Sequence, residues 1–551
     1  MPVSADVLKT AKKWAAQDPD PDTKAELKAL LARAESGDDE AAAEINEAFA
    51  GPLEFGTAGL RGRLGPGPAR MNRVTVIHAA EGVGAYLRQK AQFGAVLIGY
   101  DARHKSSEFA HEAAEVIGGV GHRPIVLDHP APTPLVAFGV RELDCMAGIV
   151  VTASHNPPAD NGFKVYLEDG RQIVPPADET IAHGMHRSAG RPLFMLSRSA
   201  DYRRLDDELE TAYLDRITRV VGTSGPRDVD WVYTPLHGVG RSLVERVADR
   251  LGFPAPAVVA EQGDPDPDFP TVAFPNPEEP GAMDLAFALA AERGADIVIA
   301  NDPDADRCAV GIPEGDGWRM LHGDEVGALL GDYLARRGVT GTFVNTIVSG
   351  SMLGRIAGAH GLPYERTLTG FKWISRVPGI AYGYEEALGY CCDPEAVADK
   401  DGISALALIL TLAAEEKAAG RTLADRLDDL ALSHGVHVSH QLSMRVEDLT
   451  LITAAMARLR AETPTELCGE PVQFIDLAEG WGDLPATDGV RLEGETVTVT
   501  VRPSGTEPKL KCYLETRVSP EVTQHDLAGS RAEARGMMAR LKEEMQTALG
   551  L

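Results

Sequence analysis

Four short apolar runs, Ala95 to Tyr100, Met146 to Val151, Ala295 to Ala300 and Thr342 to Ile347, each stop at a turn of polar residues, and this restricts the fold more than any other feature. Runs of five or six residues are too short for buried helices and read as strands covered on both faces. Helical segments alternate with the strands, beginning near Ser106, after His237 to Gly240, and at Ser351. Strand and helix in alternation predict α/β units with mainly parallel sheets, whose ligands bind at the C-terminal ends of the strands. A chain of 551 residues is too long for one core and is expected to divide several times.

The divisions follow changes of character along the sequence. Residues 1–50 read as a helical lead-in of two helices separated at Asp18 to Asp22. Residues 51–210 form a first α/β domain, ending in the polar, arginine-rich stretch from Ser188 to Asp206, with 211–325 a second and 326–436 a third. The helix Ile403 to Ala419 closes the third and reads as apolar along one face. Residues 437–551 differ: Val497 to Val501 and Leu510 to Leu514 read as half-exposed strands, and a long charged helix follows. That pattern predicts a smaller α+β domain.

The strand tips carry the chemistry. After Val151 come Thr152-Ala153-Ser154-His155-Asn156-Pro157-Pro158, where the prolines block continuation of sheet or helix and leave a serine presented at a rigid edge. After Ala300 come Asp302, Asp304 and Asp306, with Arg307 beside them. Carboxylates so close repel unless a cation neutralises them, and hard oxygen ligands favour Mg²⁺. Arg502-Pro503-Ser504-Gly505-Thr506, followed by Lys509, joins two strands and combines a guanidinium, two hydroxyls, an approachable glycine amide and an ammonium, the make-up of a phosphate cradle. A glycine-rich loop from Phe55 to Gly62 brings Arg61, which reads as a phosphate clamp. Glu385 and Glu386 read either as acceptors for sugar hydroxyls or as a solvated pair.

Composition removes other classes. A net charge of -28 argues against a nucleic-acid partner, which needs a basic face. No apolar run approaches the roughly 20 residues that span a bilayer, and Met1 to Lys13 lacks the apolar core of a cleaved signal. Six cysteines without a CxxC spacing read as reduced thiols of a cytoplasmic protein.

In order and spacing, the loops starting at Phe55, Thr152, Asp302, Thr369, Tyr384 and Arg502 resemble those of the α-D-phosphohexomutases, the phosphoglucomutase and phosphomannomutase superfamily. The resemblance implies three related α/β domains around a central cleft and a fourth that closes over the substrate. It implies a phosphoserine at Ser154, with Mg²⁺ held by Asp302, Asp304, Asp306 and that serine. Lys164 would serve as general acid or base, with Arg61, His155 and Arg307 beside the transferred phosphate. Thr369, Gly370, Lys372, Glu385, Ala387 and Lys400 would face the sugar and its phosphate. Arg502, Ser504, Gly505, Thr506 and Lys509 would hold the phosphate that is not transferred.

The implied reaction interconverts hexose 1-phosphate and hexose 6-phosphate, glucose first, through a sugar 1,6-bisphosphate. Sugar phosphates are then the partners, and a monomer or homodimer is expected. One departure stands out. Where many members have Glu-x-Ser, this chain has Glu385-Glu386-Ala387, which with Thr369-Gly370-Phe371-Lys372-Trp373 is similar to the branch of phosphopentomutases and glucose 1,6-bisphosphate synthases. Phosphopentomutase, phosphomannomutase, bisphosphate synthase, a phosphatase-like phosphotransferase and a phosphosugar-binding regulator therefore remain as alternatives.

Overall fold

In the computed structural model, which describes residues 3–55, 59–91, 93–446, 449–503 and 509–550, the strand Ala147–Val151 is buried at every position. Its alternate side chains serve two cores. Ile149 and Val151 pack with the helices Arg73–Gln89 and Ser106–Gly119, while Val150 packs on the side of Thr133–Glu142. That double burial is why the run is apolar without alternation.

Three sheets share one plan. In the first, Ala147–Val151 pairs in parallel with Ala95–Tyr100 and antiparallel with Asp160–Leu167. In the second, Ile297–Ala300 pairs in parallel with Trp231–Thr234 and antiparallel with Ala309–Glu314. In the third, Ile380–Glu385 pairs in parallel with Thr342–Thr346 and antiparallel with Gly389–Cys391. The strand between the parallel and antiparallel parts therefore leads, in turn, to the Ser154 loop, the acidic loop and the Glu385 turn. Each sheet is thus mixed rather than simply parallel, and the chemistry sits where its direction changes.

One hydrophobic core runs without a break from Leu97 of the first unit to Leu430 of the third. At its centre lies the helix Gly402–Ala418, and here the sequence expectation needs correction. It is buried on nearly all its faces, not one, because helices of the second and third units, Arg241–Leu251, Gly323–Arg336 and Leu423–His434, pack around it. Leu408, fully buried there, is expected to lose about 3 kcal/mol of stability on replacement by alanine, measured by chemical denaturation.

The C-terminal domain is a five-stranded antiparallel sheet, ordered Val436–Arg445, Lys509–Val518, Val497–Pro503, Val490–Glu493 and Gln473–Asp476. Its two central strands are buried on both faces rather than half exposed. Val497, Val499 and Val501 share a core with Leu541 and Met545 of the helix Leu527–Leu549. Thr498 and Thr500, on the other face, are also buried. On that side Arg491 donates to the Ile347 carbonyl of the third unit at 2.9 Å, and Tyr513 packs with Ile347 and Val348.

The lead-in holds three helices, Ala5–Gln17, Pro21–Glu35 and Asp39–Ala48, instead of two. The extra break falls where Gly37 adopts φ +93° and Asp38 caps the next helix. Among the described residues no helix is long and apolar enough to cross a membrane, and all six cysteines are free thiols.

Candidate active site

Ser154 stands three residues beyond the apolar strand in the left-handed region, φ +52°, with its amide donating to Thr152 Oγ1 at 2.8 Å. Its hydroxyl donates to Asp302 Oδ2 at 2.7 Å and lies 3.2 Å from His155 Nδ1. A serine loop of the first unit thus meets an acidic loop of the second. Burial, then the charges of Arg307 and Arg61, push the His155 imidazole well below its ordinary range, so it is neutral.

The protein engages both oxygens of Asp302 and one oxygen each of Asp304 and Asp306. Asp302 Oδ1 accepts from the Arg307 amide at 3.0 Å. Asp304 Oδ2 accepts from Thr133 Oγ1 at 2.7 Å and from Lys164 Nζ at 2.8 Å. Asp306 Oδ2 accepts from Lys164 at 3.0 Å and pairs with Lys400 Nζ at 3.1 Å. The other oxygens of Asp304 and Asp306 are buried without a hydrogen bond, and one oxygen from each of the three acids lies within 4.8 Å of the others.

Buried acceptors left unmatched are costly, and this set fits a hard divalent cation. The electrostatics agree. Burial, then Asp304 and Asp306, push the Asp302 carboxyl up to about 8, so without a cation the loop disfavours a third negative charge. Burial opposes the charge on Asp306 too, but Lys164, Lys400 and Arg307 outweigh it and hold that carboxyl well below the usual range.

The remaining predicted residues fall into two groups. Lys164, on the returning strand Asp160–Leu167, is 2% exposed and locked behind the acidic loop. Burial works against its charge, and Asp304 and Asp306 restore it. Arg61 donates to Asn156 Oδ1 at 3.2 Å, and the Nε atoms of Arg61 and Arg307 are buried without an acceptor. Lys400 also pairs with Asp399 at 3.4 Å and lies over the Phe371 ring. The Asp399-Lys400-Asp401-Gly402 loop lies so close to the acidic loop that a Cβ on Gly402 would meet the carbonyl of Arg307, which is why glycine stands there.

Glu385 and Glu386 are not a solvated pair. Burial pushes the Glu385 carboxyl up to about 7 against the pull of Lys400 and Arg307. Glu386 turns away, accepting from Ser349 Oγ at 2.9 Å and Thr346 Oγ1 at 3.2 Å. Ala387 is half-buried in the turn that follows.

Farther out, Thr369 and Gly370 are half-buried, and the buried Lys372 lies over Trp373 at 5.6 Å; the intervening Phe371 ring reaches Lys400. Arg502 and Lys509 are half-buried at the ends of the strands that flank the last loop. Ser504, Gly505 and Thr506 lie outside the described residues.

Several participants were not singled out from sequence. Thr133, in Pro132-Thr133-Pro134 beyond the strand Arg123–Leu127, orients Asp304; a hydroxyl at a parallel strand's end was the available signal. Asp399 accepts from Tyr166 Oη and Gln172 Nε2, both at 2.7 Å, joining the first unit to the third. Lys511, the cross-strand partner of Arg502, acts electrostatically on both His155 and Glu386. Arg103 binds the backbone of the serine loop.

Comparison with known proteins agrees with this geometry. Residues 52–190, 211–315 and 322–432 match the descriptions "Phosphoglucomutase/phosphomannomutase, alpha/beta/alpha" domain I, domain II and domain III, and residues 445–527 match the C-terminal domain of the same family. A probable phosphomannomutase of Haemophilus influenzae is 45% identical over 459 residues, spanning 81% of this chain and 93% of that protein. A human phosphopentomutase is 35% identical over 534 residues, spanning 87% of each. The crystal structure of a putative phosphomannomutase from Thermus thermophilus superposes with a TM-score of 0.67 at 26% identity, covering 88% of this chain and 98% of that one.

Proposed function

The chain belongs to the phosphoglucomutase/phosphomannomutase family of phosphosugar-isomerising enzymes, and on that premise we propose that it moves a phosphoryl group between C1 and C6 of a hexose, with glucose phosphate its first substrate. The observation that carries this reading is the 2.7 Å contact between Ser154 Oγ and Asp302, beside two buried carboxylate oxygens that lack partners.

In the working form Ser154 carries a phosphoryl group. The Oγ–P bond breaks as a hydroxyl of the sugar monophosphate takes the phosphoryl group and gives up its proton, which passes by way of His155 Nδ1 to the departing Ser154 oxygen, giving a bisphosphate. This turns over in the cleft and returns its other phosphoryl group to Ser154. On return the serine proton passes to His155 Nδ1, kept neutral and 3.2 Å away, and from there to the sugar oxygen that the phosphoryl group leaves. Arg61 and Arg307, with Nε donors free, orient and neutralise the phosphoryl oxygens. Asp302, Asp304 and Asp306, with the phosphorylated Ser154, would hold Mg²⁺, which would supply charge neutralisation for the transfer. Lys164 keeps Asp304 and Asp306 oriented. Arg502, Ser504, Gly505, Thr506 and Lys509 hold the phosphate that stays on the sugar, while Glu385, Thr369, Gly370, Lys372 and Lys400 line its path.

The same site supports a second reading, phosphopentomutase or bisphosphate synthase, which is favoured by Ala387 in place of a hydroxyl residue. The test is a coupled assay with Mg²⁺ and a trace of glucose 1,6-bisphosphate, offering glucose 1-phosphate, mannose 1-phosphate and ribose 1-phosphate. Fastest conversion of glucose 1-phosphate is expected. Preference for mannose or ribose would replace the named sugar, and binding of all three without conversion would replace the mutase by a phosphosugar-binding protein.

A further inference from the structure

The serine loop is held from beneath by a residue that belongs to neither the serine nor the acidic motif. Arg103 follows the strand Ala95–Tyr100 and is 4% exposed. Its Nη2 donates to the carbonyls of Ser154 at 2.6 Å and Asn156 at 2.5 Å, and its Nη1 to those of Pro157 at 2.8 Å and Asp160 at 3.2 Å. Four carbonyls converge on one planar guanidinium only if the chain from Ser154 to Asp160 turns as it does here. Asp101 fixes the base of this arrangement, accepting from the Arg103 amide at 3.0 Å and from Ser106 Oγ at 2.6 Å.

The other face of the guanidinium is covered by the second unit. The Phe269 ring lies 4.8 Å from Arg103 Cζ, and Phe269 is itself buried edge-on against His237. The adjacent pair, His104 Nε2 and Asp268 Oδ1, meets at 2.7 Å. The shape of the serine loop and the seating of the first unit against the second therefore depend on the same side chain.

We propose that Arg103 is a positioning residue for phosphoryl transfer: its buried guanidinium gathers four carbonyls of the serine loop and, covered by Phe269, holds the Ser154 hydroxyl against the acidic loop. The inference rests on the mutase reading for its consequence, but not for its geometry. A serine with positive φ is strained and persists where its surroundings over-determine it. Without the fork the four carbonyls turn to water and the loop relaxes. Displacement of a reacting group by about 1 Å costs on the order of 100-fold in rate. Since Arg103 does not touch the sugar site, KM should stay put.

The test is Arg103→Lys, which keeps the charge and removes the fork. A kcat lowered about 30- to 100-fold is expected, with KM within about threefold of wild type and faster amide exchange in residues 153–162 but not in the helix Ser106–Gly119. Unchanged kcat, or a raised KM at unchanged kcat, would overturn the proposal. So would faster exchange spread equally over that helix.

Phe269→Leu, which uncovers the guanidinium without removing it, is expected to lower kcat by about 3- to 10-fold with the same local exchange signature. It decides the matter if the lysine variant does not fold, and wild-type kcat with wild-type exchange there would count against the clamp. If the wild-type protein converts no sugar phosphate, the functional reading falls, and loop exchange in the two variants still decides whether Arg103 holds the loop.

Discussion

Ser154→Ala is expected to bind sugar phosphate and not turn it over. Removing a covalent nucleophile leaves only the catalysis supplied by the surrounding charges, so kcat should fall by roughly 10⁴-fold or more. Affinity should move by less than about threefold, since Arg502, Lys509 and Glu385, which we assign to the sugar phosphate, are untouched. The fold should survive. Alanine keeps the Cβ and hence the backbone requirements of a residue at φ +52°, and the lost hydroxyl bonds to Asp302 and His155 are worth about 1 kcal/mol. Calorimetric titration with glucose 6-phosphate and a turnover assay on the same preparation measure both numbers. Retained turnover would remove Ser154 from the reaction, and loss of binding together with turnover would show a structural role instead.

How much of this was legible beforehand depended on whether the chemistry was local. Ser154 and the three aspartates stand immediately beyond apolar strands, so their type and place in sequence were enough to mark them. The three-fold α/β repeat was legible for the same reason, strand periodicity being local. Burial between units was not. The helix Gly402–Ala418 reads as amphipathic until the second and third units close around it. Glu386 reads as a surface acid until Ser349 and Thr346 are seen to receive it. Lys164 was marked for proton transfer from the family resemblance; its ion pairs with Asp304 and Asp306, 140 and 142 residues away, could not be read from the sequence. Arg103 carried no signal beyond an arginine two residues after an aspartate, since the carbonyls that its guanidinium gathers lie 51 to 57 residues on.

Chelation is expected to abolish activity and Mg²⁺ to restore it, with the three aspartates separable by what their loss does to the metal-free protein. Asp302, Asp304 and Asp306 should each, as asparagine, lower activity by about 100-fold or more, because each removes a charged oxygen from the cation. Stability should divide them. Among the described residues Asp302 makes no close lysine pair; its carboxylate meets Ser154, the Arg307 amide, the Arg307 side chain at 3.9 Å and His155 Nδ1 at 4.0 Å. Burial and its two acidic neighbours already disfavour its charge. Asp302→Asn relieves that repulsion, so the chelated variant should unfold at or above the wild-type midpoint. Asp306 is the reverse case, with Lys164 at 3.0 Å and Lys400 at 3.1 Å depending on it. Asp306→Asn leaves two buried ammonium groups undercompensated and should cost about 3 kcal/mol. Asp304→Asn should fall between, since Lys164 keeps Asp306 and the amide still accepts from Thr133. Thermal unfolding of the three variants in chelator gives the order directly. Activity indifferent to chelation would refute the cation site, and equal destabilisation by Asp302→Asn and Asp306→Asn would refute the division of the loop into one repelled and two paired carboxylates.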